Sequence, residues 1–162
     1  MSKSFKETLT PELAEKMLMF FREENREGYR FAIKQMSQLA RVRDVFISKK
    51  PVKEQIAWLY KQFQHPQAIM VLEHLCQVWL MEGQKDMLIT FCEEMGFAHQ
   101  QGTLDQELPE ELPADKVASA VEELLANYDQ DLVVFYLEAF NAQRENGWDT
   151  LTTAIEGIAI KA

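Results

Sequence analysis

Two segments of this 162-residue chain are apolar around most of their circumference when read as helices. One runs from Ala68 to Met81, broken only by Glu73, His74 and Gln77; the other runs from Leu132 to Phe140. Both are shorter than the roughly 18 consecutive apolar residues that a membrane span needs. A helix that is apolar all round must be wrapped by other helices. The chain is therefore expected to be all-α, a single domain of about eight helices in an antiparallel stack. The fourth and seventh helices should be the most buried. Glycine and proline together number 11, too few for a turn-rich all-β fold.

Local signals place the other helices. Thr10-Pro11-Glu12 is a helix start, with a hydroxyl cap, proline in the first turn and an acid after it. Asn25 to Gly28 reads as a turn. A long second helix follows from Gly28 to Ile47, with Ala32, Ile33, Met36, Leu39, Ala40, Val42, Val45 and Phe46 as its apolar stripe. Pro51 opens the third helix and His65-Pro66 the fourth, which Gly83 ends. Asp86 is expected to cap the fifth helix, and Gly96 with Phe97 to close it in a Schellman pattern. Residues 97–112 read as a polar, acidic linker without periodicity. Three further helices follow, with caps expected at Asp129 and Asp149.

Helices three to five and six to eight share a plan. Val52 and Val117, Ile56 and Val121, and Leu59 and Leu124 align at a spacing of 65. Units 51–96 and 113–160, after an N-terminal pair in 1–50, would match the HEAT or armadillo class in size. The alternative is the coincidence that any run of packed helices produces.

Charge is divided unevenly. Residues 1–66 hold 13 Lys/Arg and 8 Asp/Glu, while residues 67–162 hold 4 and 18, for a net charge of −9 overall. Overall acidity argues against a general nucleic-acid binder. The basic half keeps a nucleic-acid role open. Attraction between the halves would also suit a homodimer, or a monomer folded on itself. The N-terminus lacks the apolar stretch of a secretory signal, and two cysteines make no disulfide framework. A cytoplasmic protein without membrane attachment is expected.

Catalytic patterns are missing. His65, His74 and His99 form no HExxH or Glu-x-x-His pair, no G-x-S-x-G elbow occurs, and the glycines never cluster into a phosphate cradle. Cys76 and Cys92 lie inside apolar helices, where the thiolate is disfavoured. No catalytic residue, metal or cofactor is expected, which leans the chain away from enzymes. Two features could carry a site. Glu73, His74 and Gln77 form a polar strip, either a pocket with His74 as acid or base or a strip meeting solvent. Arg26, Arg30, Lys34 and Arg41, continued by Arg43, form a basic face. That face could meet a protein partner, an anion or nucleic acid, or be simply solvated. The leading expectation is a non-catalytic helical interaction module, an adaptor or regulator. A nucleic-acid-associated regulator is the alternative. A small-molecule binder or enzyme around His74 is the third option.

Overall fold

Prolines and glycines set many of the helix ends. In the computed structural model, which describes residues 5–161, α1 (Phe5–Thr8) precedes α2 (Pro11–Glu24), which starts at its proline. A single residue, Asn25, separates α2 from α3 (Arg26–Ala40). Its side-chain oxygen accepts from the Gly28 N–H at 3.0 Å and so caps α3. The short α4 (Asp44–Ser48) leads to α5 (Val52–Phe63). A 3-10 turn at Pro66–Ala68 enters α6 (Ile69–Gly83), and α7 (Lys85–Met95) follows. A two-stranded hairpin, β1 (His99–Gln100) and β2 (Thr103–Leu104), precedes α8 (Ala114–Asn127), α9 (Gln130–Asn141) and α10 (Asp149–Lys161). The fold is all-α, and the eight helices expected are all present, with α1 and α4 as short additions. Asp86 and Asp149 lie within the first turns of α7 and α10, where a carboxylate faces the positive end of the helix, and do not precede them as caps.

The chain gathers into two compact units. One is Pro11–Gly83; the other holds the described residues up to Thr10 together with those from Gln84 onward. In the first, α2 and α3 pack on each other and both meet α5 and α6. Leu13, Met17, Phe21, Met36, Leu59, Phe63, Leu72 and Trp79 form its core. In the second, α7 packs on α8, α10 on α8 and α9, and α1 on α9. The unit boundary at Gly83 therefore separates α5 and α6 from α7, and the expected three-helix unit 51–96 is divided between the two cores.

α9 has the burial its composition implies, with eight of its residues inside, including Phe135, Tyr136 and Phe140. α6 does not. Met70 is 79% exposed, and Glu73, His74, Gln77 and Met81 are also exposed. Leu72, Leu75, Cys76, Trp79 and Leu80 are its buried residues, and Ile69, Val71 and Val78 are half-buried. An apolar composition on this helix thus leaves part of its apolar surface uncovered.

The long connection is organised. Gln101 and Gly102 both have positive φ, the signature of a type I′ two-residue hairpin turn. Farther along, three side chains donate to its carbonyls: Trp148 Nε1 to Pro109 at 2.9 Å, Thr150 Oγ1 to Leu112 at 2.8 Å, and Arg144 to Glu110. Leu112 is buried. The hairpin and the carbonyls of Pro109, Glu110 and Leu112 are thus tied by hydrogen bonds, while most of residues 97–112 are exposed, as a polar linker would be.

The second helix ends earlier than its apolar stripe implies. α7 closes with the expected Schellman pair, Phe97 N–H to Cys92 O and Gly96 N–H to Glu93 O. The same pair closes α3, from Val42 N–H to Ser37 O and from Arg41 N–H to Gln38 O, but here the left-handed residue is Arg41 at φ 58°. Of the residues that follow, Ile47 is buried, while Val42, Val45 and Phe46 are left exposed at 43, 44 and 60%. A left-handed non-glycine residue is strained by its Cβ. Arg41→Gly should therefore stabilise the chain by about 0.5–1 kcal/mol, after glycine's greater unfolded-state freedom is subtracted. A urea titration checks this; a lower midpoint for the variant would contradict it.

Candidate functional site

The basic residues of the Pro11–Gly83 unit divide between two places on its surface. The first is a cleft of about 450 Å³ on α2 and α3, lined by Arg22, Glu23, Arg26, Tyr29 and Arg30. Arg26 and Arg30 are one turn apart on α3, and Arg22 continues the four-residue spacing back across the Asn25 junction. The two helices approach closely beside it: a Cβ on Gly28 would stand 2.5 Å from the Phe21 ring, so only glycine fits there. Asn25 adds a tie to the end of α6 through its Nδ2 donating to Glu82 at 3.2 Å.

Tyr29 is the rigid element of this cleft. Its ring is buried, and the Arg22 guanidinium lies over it at 5.8 Å from the centroid. Burial raises the phenol's pKa, and the neighbouring Arg22 charge only partly opposes that rise. The hydroxyl therefore keeps its proton and donates to Gln55 Oε1 at 2.6 Å. Gln55 Nε2 in turn donates to the carbonyls of Ser48 at 3.1 Å and Lys50 at 2.7 Å. The buried amide is fully used, and it links α3, α5 and the end of α4.

The second place is the turn between α3 and α4. Val42, Val45 and Phe46 are exposed there, and so are Arg41, Arg43, Lys49 and Lys50 on the same stretch of chain. From Arg41 to Lys53 the chain carries five basic residues and one acid, Asp44. Of the residues expected to form one basic face, Arg26 and Arg30 thus line the cleft and Arg41 and Arg43 flank the turn. Lys34 is exposed on α3 outside the cleft lining.

Glu73, His74 and Gln77 lie on the surface of α6 and do not line the cleft on α2 and α3. All three are exposed, and His74 meets Phe31 edge-on with ring centroids 5.7 Å apart. The polar strip lies on the open face of α6. His65 is exposed at the start of the 3-10 turn. His99 serves the hairpin: its Nδ1 accepts from the Gly102 N–H at 3.1 Å, with Nε2 3.9 Å from Glu93.

Both thiols are buried and unpaired as disulfides. Burial, reinforced by the charge of Glu93, pushes the Cys92 thiol up to about 11. Burial, with Glu73 adding to it, raises Cys76 further. Neither offers a thiolate near neutral pH. Among the described residues no three His, Cys, Asp or Glu side chains converge on a metal position, and no helix is long and apolar enough to cross a membrane. Compared with protein-family models, curated proteins and solved structures, the chain matches none of them.

Arg22, Tyr29 and Gln55 escaped the sequence reading. Arg22 was accessible to it, because the spacing Arg22, Arg26, Arg30 is regular; the turn at Asn25 hides it. Val42, Val45 and Phe46 read as core and prove to be surface.

The thiol environments yield a test. A shift of Cys92 from 9.0 to about 11 lowers its thiolate fraction at pH 8 about 100-fold, so iodoacetamide should label it about 100-fold more slowly in the native than in the denatured chain. The folded value lies above the unfolded one. The associated stability is therefore complete below pH 9.0 and is lost as pH rises through about 11. Equal labelling rates in the native and denatured chains would contradict the buried, protonated thiol.

Proposed function

We propose that the chain is a non-catalytic helical interaction module, an adaptor or regulator, that docks an acidic amphipathic segment of a partner protein on the α3–α4 turn. One observation carries this reading: Val42, Val45 and Phe46 are exposed on a stretch of ten residues that also exposes Arg41, Arg43, Lys49 and Lys50. Exposed apolar side chains interspersed with a basic rim are the composition of a recognition patch, and the rim's sign selects an acidic partner. An amphipathic helix would lay its apolar face on Phe46 and its carboxylates on the rim.

A nucleic-acid-associated regulator would use the same cations without the apolar residues. Fluorescence anisotropy separates the two. Labelled acidic peptides that form amphipathic helices, the same compositions scrambled, and a duplex oligonucleotide are titrated with the full chain. The amphipathic peptides should bind, the scrambled ones should not, and Phe46→Asp should weaken binding at least about tenfold with the helical circular dichroism unchanged. Equal binding by wild type and Phe46→Asp would overturn the docking site. Preference for the oligonucleotide, falling steeply with salt, would replace it with the nucleic-acid role.

A further inference from the structure

The cleft on α2 and α3 is separate from the α3–α4 turn and has a different chemistry. Three arginines, Arg22, Arg26 and Arg30, line one space of about 450 Å³, against a single acidic residue, Glu23. Among the described residues, no ion pair joins any of the three to a carboxylate. Like charges gathered around a concave space repel one another until an anion enters it. The arrangement is also partly rigid. Arg22 rests on the Tyr29 ring, Tyr29 is anchored by its 2.6 Å bond to Gln55, and Gly28 holds the two helices in close approach. A guanidinium positioned before its ligand arrives loses less freedom on binding.

We infer that the Arg22–Arg26–Arg30 cleft binds the dianionic phosphate group of a phosphomonoester. The charges match: three arginines and one glutamate leave the lining at +2, and a phosphomonoester carries close to −2 at neutral pH. The geometry matches as well. A terminal phosphate has three oxygens arranged tetrahedrally, so guanidiniums from two helices can each take one, whereas a carboxylate has only two oxygens in one plane. The volume exceeds that of a bare phosphate and leaves room for part of the group that bears it. Glu23 at the same cleft disfavours longer polyanions, because added negative charge would meet its carboxylate. The bearer is a small phosphorylated molecule or a phosphorylated side chain, since both present the same group.

Isothermal titration calorimetry of the full chain tests this with inorganic phosphate, phenyl phosphate and a phosphoserine peptide. Saturable binding is expected for the phosphate compounds and none for the unphosphorylated peptide. Affinity should fall as pH drops from about 8 to about 5.5, where the phosphate gains a proton. Arg26→Gln together with Arg30→Gln, both at exposed positions, should weaken binding at least about tenfold. Lys49→Gln with Lys50→Gln should leave it unchanged, as should Phe46→Asp, so failure here is distinguishable from failure of the docking turn. Tighter binding of the phosphopeptide would identify a phosphorylated protein as the source, and tighter binding of phenyl phosphate a small molecule. The inference is overturned if no phosphate compound binds at about 10 mM. It is equally overturned if the lysine pair variant loses binding as much as the arginine pair variant does.

Discussion

The hydrogen bond from Tyr29 to Gln55 is the point on which the Pro11–Gly83 unit turns. It is short, buried and doubly backed, because the Gln55 amide also donates to Ser48 and Lys50. Losing either partner would leave a buried polar group unsatisfied, at a cost of about 1–3 kcal/mol. The same bond fixes two surfaces at once. Toward α2 it holds the Tyr29 ring beneath Arg22; toward α4 it holds the carbonyls that follow the exposed turn. The backbone beneath the cleft and the backbone that follows the turn are thus joined by one chain of hydrogen bonds through Tyr29 and Gln55.

The other unit is built on aromatic packing. Phe91 meets Tyr136 and Phe140 edge-on at 5.4 and 4.9 Å, and Phe140 stacks on Trp148 at 5.3 Å. Trp148 then reaches outward to bind the Pro109 carbonyl, so the aromatic cluster also secures the long connection. Asn141 holds the α9–α10 turn, accepting from Trp148 N–H at 2.8 Å and donating to Thr152 at 3.0 Å. Cys92 is protonated within this core, and His99 is committed to the hairpin.

Much of the fold was legible because helix signals are local. Pro11, Gly83 and Gly96 mark ends that chain chemistry dictates, and eight helices follow from them. Where tertiary contacts decide, local signals fail. Arg41 adopts a left-handed conformation that usually signals glycine, so Val42, Val45 and Phe46 appear to continue a buried stripe. α6 is apolar on faces that nothing in its unit covers, which composition alone does not foretell. The ties of the 97–112 connection are invisible to local signals because its partners, Arg144, Trp148 and Thr150, lie 34 to 39 residues away. The candidate site was half visible: Arg26 and Arg30 announce a basic face, but only the fold adds Arg22 and Tyr29 to them and parts them from Arg41 and Arg43.

On this view, whatever the chain binds meets the Pro11–Gly83 unit, while the aromatic unit serves as scaffold. Amide chemical-shift mapping of the full isotope-labelled chain tests that division most directly, with inorganic phosphate and an acidic amphipathic peptide added in turn. Shifts confined to Arg22–Arg30 for the phosphate and to Arg41–Lys50 for the peptide are the predicted result. Shifts concentrated on α7 to α10 would contradict it.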